Sequence, residues 1–272
     1  MSRGRALRGL VAAVVATVSV SVLVPTAGSA TGGPLVAPAA GTASATPGPV
    51  PARSELPAEA RTALAIGAHA ELAVRPAQRI SRIATRKKVA YLTFDDGPDP
   101  RWTPQVTKVL RKHKVKGTFF VVGNAAQRHP RMVRTLRSQG HVVANHSYSH
   151  PVLTRQSSSA VRSQLQRTDR AIGSSRCYRA PYGSVNRRVD TVAGSLGIRY
   201  SVLWNVDSND WRRPGATTIA NTVVRTTRPG SIILMHDGGG NRSQTVAALD
   251  QSITRLKKQG YTFKPLTQCG RR

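Results

Sequence analysis

Val89-Ala90-Tyr91-Leu92-Thr93-Phe94-Asp95-Asp96-Gly97-Pro98 is an apolar run that ends on two carboxylates and a turn. The run reads as a buried strand, and Gly97-Pro98-Asp99-Pro100 stops it at once. Adjacent residues of a strand point to opposite faces. Asp95 and Asp96 therefore face different ways unless the chain bends between them. Like charges so close also repel and can push one pKa upward. A metal cation removes the difficulty: one aspartate ligates it, and the other is free to handle a proton.

Outward from this strand, strand-like and helix-like segments alternate. Thr103-Pro104, an N-cap and N1 pair, opens a helix to Lys112. Further strands are expected at Gly117–Val122, His141–Ala144, Cys177–Ala180, Ile198–Leu203, Ser231–Met235 and Tyr261–Phe263. Helices are expected at Ala125–Ser138, Ser159–Ile172, Arg187–Leu196, Thr217–Thr226 and Gln244–Lys258. About seven β/α repeats with continuous apolar strands fit either a (β/α) barrel or a doubly wound sheet. Both place chemistry at the C-terminal ends of the strands.

The unusual residues gather at those ends. His146 and His150 follow the third strand, at a spacing that sets two imidazoles on one side of a helical turn. With Asp96 as third ligand, two histidines and a carboxylate describe a hydrolytic Zn²⁺ site with a position left for water. Arg179-Ala180-Pro181-Tyr182-Gly183 follows the fourth strand. A fixed cation there would orient Asp95 and favour its charge, and the turn could present an N–H to an oxyanion. Asp207-Ser208-Asn209-Asp210-Trp211 and Leu234-Met235-His236-Asp237-Gly238 follow the fifth and sixth strands. His236 would be a general acid held protonated by Asp210. Trp211 and Leu234 would wall a pocket for a small apolar group. The alternative reading of Gly238-Gly239-Gly240 is a plain loop, because no phosphate-loop Lys follows.

Thr93–Pro98, His146–His150, Arg179–Tyr182, Asp207–Trp211 and Leu234–Gly238, in this order, resemble the five motifs of the polysaccharide deacetylases, carbohydrate esterase family 4. The resemblance spans roughly Lys87 to Phe263. It implies a distorted (β/α) barrel and metal-dependent removal of acetyl groups from a carbohydrate polymer. It makes Asp95 the base, Asp96, His146 and His150 the ligands, and Arg179 the residue that orients Asp95. Tyr182 N–H, beside Pro181, would form the oxyanion site, and His236 tuned by Asp210 would be the acid. Zinc is the expected ion, with cobalt or another divalent ion as the alternative. Peptidoglycan N-acetylglucosamine and chitin-type polymers are the leading substrates; acetylxylan is the rival within the family. A catalytically idle, basic wall-binding protein is the rival from another class. A serine hydrolase is excluded by the absence of a Gly-x-Ser-x-Gly elbow.

Composition sets the remaining expectations. The 272 residues open with Arg3, Arg5 and Arg8, an apolar run from Leu10 to Val24, and Ala27-Gly28-Ser29-Ala30. This is a secretory signal pattern over residues 1–30, with an uncleaved N-terminal anchor as the alternative. Residues 31–78 read as an Ala/Pro/Gly-rich linker with a possible short helix at Glu59–Val74. The catalytic domain is then expected at 79–272. A net charge of +29 points to polyanionic surroundings. For an exported monomer those are the cell wall rather than nucleic acid. No Glu follows Glu71, and five of the nine Asp beyond it fall in the motifs. Cys177 and Cys269, an even pair in an exported chain, are expected to form a disulfide.

Overall fold

The computed structural model describes residues 74–272. The signal and most of the linker, with its possible helix, lie outside them. Nine strands are present among the described residues: β1 (Gln78–Ile80), β2 (Val89–Asp95), β3 (Thr118–Val121), β4 (Val142–Asn145), β5 (Cys177–Tyr178), β6 (Tyr200–Val202), β7 (Val206–Asp207), β8 (Ile232–His236) and β9 (Thr262–Phe263). Seven helices accompany them: α1 (Thr103–Lys112), α2 (Gly123–Arg128), α3 (Pro130–Ser138), α4 (Ser158–Ile172), α5 (Arg187–Ser195), α6 (Ala216–Thr226) and α7 (Ser243–Lys258).

The sheet runs β1-β6-β5-β4-β3-β2-β8-β7, all parallel, with β9 added beside the start of β2. β6 and β7 lie near opposite ends of that order, yet only Leu203, Trp204 and Asn205 separate them. So short a link spans at most about 14 Å. The sheet must therefore curl until its ends meet. Leu203 N–H donates to Ile80 O at 2.7 Å and Asn205 N–H to Ile232 O at 3.3 Å. An antiparallel bridge between Arg82 and Ser231 draws the ends together at the other side. The result is the expected distorted (β/α) barrel.

Two strands exceed the expected seven. β1 is mostly exposed and β7 is two residues long, so neither carries an apolar run to be read. Helix 125–138 is two helices, because Pro130 has no N–H to continue the first. Thr103 is not the N-cap of α1. Asp99 Oδ1 accepts the N–H groups of Arg101 and Trp102, and the Thr103 hydroxyl is engaged elsewhere.

Burial on β2 explains the position of the site. Ala90, Leu92 and Phe94 are fully buried in a cluster with Val106 and Leu110 of α1 and with residues of α6 and α7. Tyr91, of opposite parity, packs against Phe120, Ala144, Val202 and Ile232 on the strands' other face. Thr93 and Asp95 share the parity of Tyr91 and so face the barrel interior. Cys177 and Cys269 pair, tying β5 to the C-terminal tail across 92 residues. Closing a loop of that length stabilises a fold by about 4.6 kcal/mol in the chain-entropy picture.

Candidate active site

Asp95 and Arg179 form the innermost layer. Arg179 has no solvent exposure. Its Nη1 donates to Asp95 Oδ1 at 2.7 Å and to Thr93 Oγ1 at 2.9 Å. Nε and Nη2 reach the carbonyls of Val202 and Leu203. The guanidinium lies 4.1 Å from the Phe120 ring centroid and 5.5 Å from that of Trp204. Every polar edge is bonded and a face is stacked, which is what makes a buried guanidinium tolerable.

Asp96 solves the parity problem by bending. Its φ of 74° is left-handed and swings the carboxylate back beside Asp95. The glycine loop after β8 permits this. A Cβ on Gly238 would lie 2.3 Å from Asp96 O, and one on Gly239 2.5 Å from Asp96 Oδ2. The glycines are thus a close-approach surface against Asp96 and more than a plain loop.

His146 and His150 approach Asp96 from the β4 loop, without the helical turn that their spacing suggested. Ser147 and His150 take left-handed φ of 63° and 61°, and the two rings end 5.0 Å apart. Asn145 accepts from Ser147 N–H, and Gln164 of α4 accepts from the N–H groups of Tyr148 and Ser149. His146 Nδ1 lies 2.9 Å from the Arg179 carbonyl, so it carries the proton and Nε2 faces Asp96.

The nitrogens sit 3.4 Å (His146 Nε2) and 3.1 Å (His150 Nε2) from Asp96 Oδ1. That oxygen is buried, and neither approach has hydrogen-bond direction. A carboxylate oxygen left so costs on the order of 1–3 kcal/mol. One ligand atom from each residue lies within 4.8 Å of the others. Two imidazoles and a carboxylate suit Zn²⁺ or a similar divalent ion, so the three residues fit a metal. Burial pushes the Asp96 carboxyl up, but both histidines outweigh it and hold it well below the usual range. Burial likewise pulls His146 down, while Asp95 and Asp96 overcome this and leave it raised.

The opposite wall is His236. Its Nδ1 lies 2.7 Å from Asp210 Oδ1, and its N–H donates to Asp210 Oδ2 at 2.9 Å. Thr245 donates to the same Oδ2. Burial opposes the charge on both partners, yet the pairing prevails: His236 is raised and Asp210 lowered.

Asp95, Asp96, His146, His150, Tyr182, Trp211, Leu234 and His236 line one cleft of about 400 Å³. Arg179 and Asp210 stand behind it. Tyr182 is left-handed at φ 60° and sets its ring 4.8 Å from His150. Its N–H finds no acceptor among the described residues. Pro181 is buried and shapes that turn rather than lining the cleft. Trp204, Asp207 and Arg242 also line the cleft and were not singled out from the sequence as site residues. Trp204 sits at the C-terminal end of a strand, like the five motifs, which is the signal that could have found it. Asp237 lies just outside. Burial, with Asp96 and Asp95 nearby, pushes its carboxyl up to about 7 against the Thr103 hydroxyl bond.

The polysaccharide deacetylase family model matches residues 82–201. A chitooligosaccharide deacetylase of Sinorhizobium fredii is 41% identical over 205 residues, covering 70% of this chain and 95% of that protein. The crystal structure of a peptidoglycan N-acetylglucosamine deacetylase superposes with a TM-score of 0.67 at 36% identity, covering 72% and 93%. A pseudoenzyme of carbohydrate esterase family 4 from Bacillus anthracis superposes at 0.65 with 33% identity, covering 73% and 71%. The chain belongs to the polysaccharide deacetylase family.

Proposed function

We propose that this protein is a secreted hydrolase of carbon–nitrogen bonds, removing acetyl groups from N-acetylglucosamine units of peptidoglycan or a chitin-type polymer. One observation carries the reading. A ligand triad is flanked in a single cleft by a carboxylate with a buried cation and by an imidazole with a buried carboxylate. Since the family also contains a pseudoenzyme, these residues rather than the fold support activity.

Asp96, His146 and His150 would hold a divalent ion, zinc by preference, which when bound polarises a carbonyl and makes water acidic. Asp95, oriented by Arg179, takes the proton of the attacking water. Tyr182 N–H receives the oxyanion of the tetrahedral species. His236, kept protonated by Asp210, gives its proton to the leaving nitrogen, and acetate and a free amine result. An amide needs that acid, because the amide anion is a very poor leaving group. An ester does not need it to the same degree, so the intact His236–Asp210 pair favours an amide over acetylxylan. Residues 1–30 support export, and the cationic chain suits an anionic wall.

The test is acetate release from the metal-loaded protein, offered N-acetylglucosamine oligomers, peptidoglycan and acetylxylan, each with a chelated control. Chelator-sensitive release from the N-acetylated polymers is expected. Release from acetylxylan alone would make the protein an esterase.

A further inference from the structure

A second concave surface lies well away from the catalytic cleft. It follows the seam of α6 and α7 to the N-terminal end of the barrel, with a volume of about 880 Å³. Thr218, Asn221, Thr222 and Arg225 form one stripe of α6, at helical spacing. Lys88 immediately precedes β2, whose other end carries Asp95. Seven residues at about 3.3 Å each separate the two sites by roughly 20 Å.

Four cations line this groove, Lys88, Arg225, Arg228 and Arg255, and no acid does. None of the four joins a salt bridge among the described residues. Three are held by neutral acceptors: Lys88 by Gln259 O, Arg255 by Asn221 Oδ1, and Arg228 by the carbonyls of Arg225 and Thr227. Such bonds position a charge without cancelling it. The rival account is that these cations merely offset the C-terminal ends of α6 and α7. Each helix end carries about half a negative charge, so about three positive charges remain. A concave, acid-free wall concentrates that field. Guanidiniums held in place lose little freedom on meeting an oxyanion.

We propose that this groove binds a linear polyanion of repeated phosphate or carboxylate groups, anchoring the protein while the cleft at the opposite end stays open. The inference does not depend on the catalytic reading. Binding of the whole chain to inorganic polyphosphate and to polygalacturonate tests it, at about 0.15 M salt, where long-range attraction between exposed charges is screened. Lys88→Gln/Arg225→Gln/Arg228→Gln/Arg255→Gln is compared with the charge-matched Lys108→Gln/Arg111→Gln/Arg131→Gln/Arg134→Gln on α1 and α3. The groove variant should bind about tenfold more weakly and the control within about threefold of the parent, since a local field is at stake. The polymer that binds identifies the anion. Equal losses in the two variants, or binding of neither polymer by the parent, would overturn the proposal. Should the quadruple variant fail to fold, Lys88→Gln/Arg225→Gln should still weaken binding by about threefold, because Coulomb contributions scale with the charges removed. Acetate release from short N-acetylglucosamine oligomers should be unchanged in every groove variant.

Discussion

The two walls of the catalytic cleft are built from the same parts with the roles exchanged. On one side the cation is structural: Arg179 is fully buried and fixes Asp95, which faces the cleft. On the other the carboxylate is structural: Asp210 is buried and fixes His236, which faces the cleft. In each pair the member behind the cleft positions the member that lines it. The difference lies in what happens if the buried partner is lost. His236 can shed its proton near neutral pH and become an ordinary neutral imidazole. Asp95 would be left as a buried carboxylate without its guanidinium, with only His146 Nε2, 3.7 Å from its Oδ2, beside it.

Breaking the Arg179 side should have the largest effect. Arg179→Met should cost about 3–5 kcal/mol of stability, the range for removing one partner of a buried pair, and should abolish acetate release. Chemical denaturation together with an activity assay checks both. His236→Ala should leave the fold intact and lower kcat by about 10³, within the range for a lost general acid. The loss should be smaller on an ester substrate, whose leaving group needs less protonation. Asp210→Asn should cost about 10- to 100-fold in rate, as for other orienting partners. It also carries a pH signature. The acid must be protonated, and Asp210 raises the His236 pKa. Activity is therefore lost as pH rises through that raised value, and the asparagine variant should lose it at lower pH. An unmoved alkaline limb in the rate profile would assign the acid to another group.

Legibility from sequence followed burial and length. β2 and β8 were readable because they are buried on both faces and several residues long. β1 and β7 were not, because they exist only through pairing with β6 and β8. That Asp96, His146 and His150 converge was legible, but the geometry by which they do so was not. The four-residue spacing works through left-handed Ser147 and His150, which no helical pattern announces. Cys177 and Cys269 were legible from their number alone. Trp204 had the strand-end position as its signal, whereas Arg242 reaches the cleft only because it bonds to the glycine loop that folds over Asp96. That is tertiary information, carried by no local spacing.

The proposed chemistry turns on the division of labour between the adjacent aspartates. Metal content and acetate release should be measured side by side for Asp95→Asn and Asp96→Asn. Asp95→Asn should keep its metal and release no acetate, because it loses a base and no ligand, while Asp96→Asn should lose both. Loss of metal from Asp95→Asn with retention in Asp96→Asn would contradict this division and exchange the two roles.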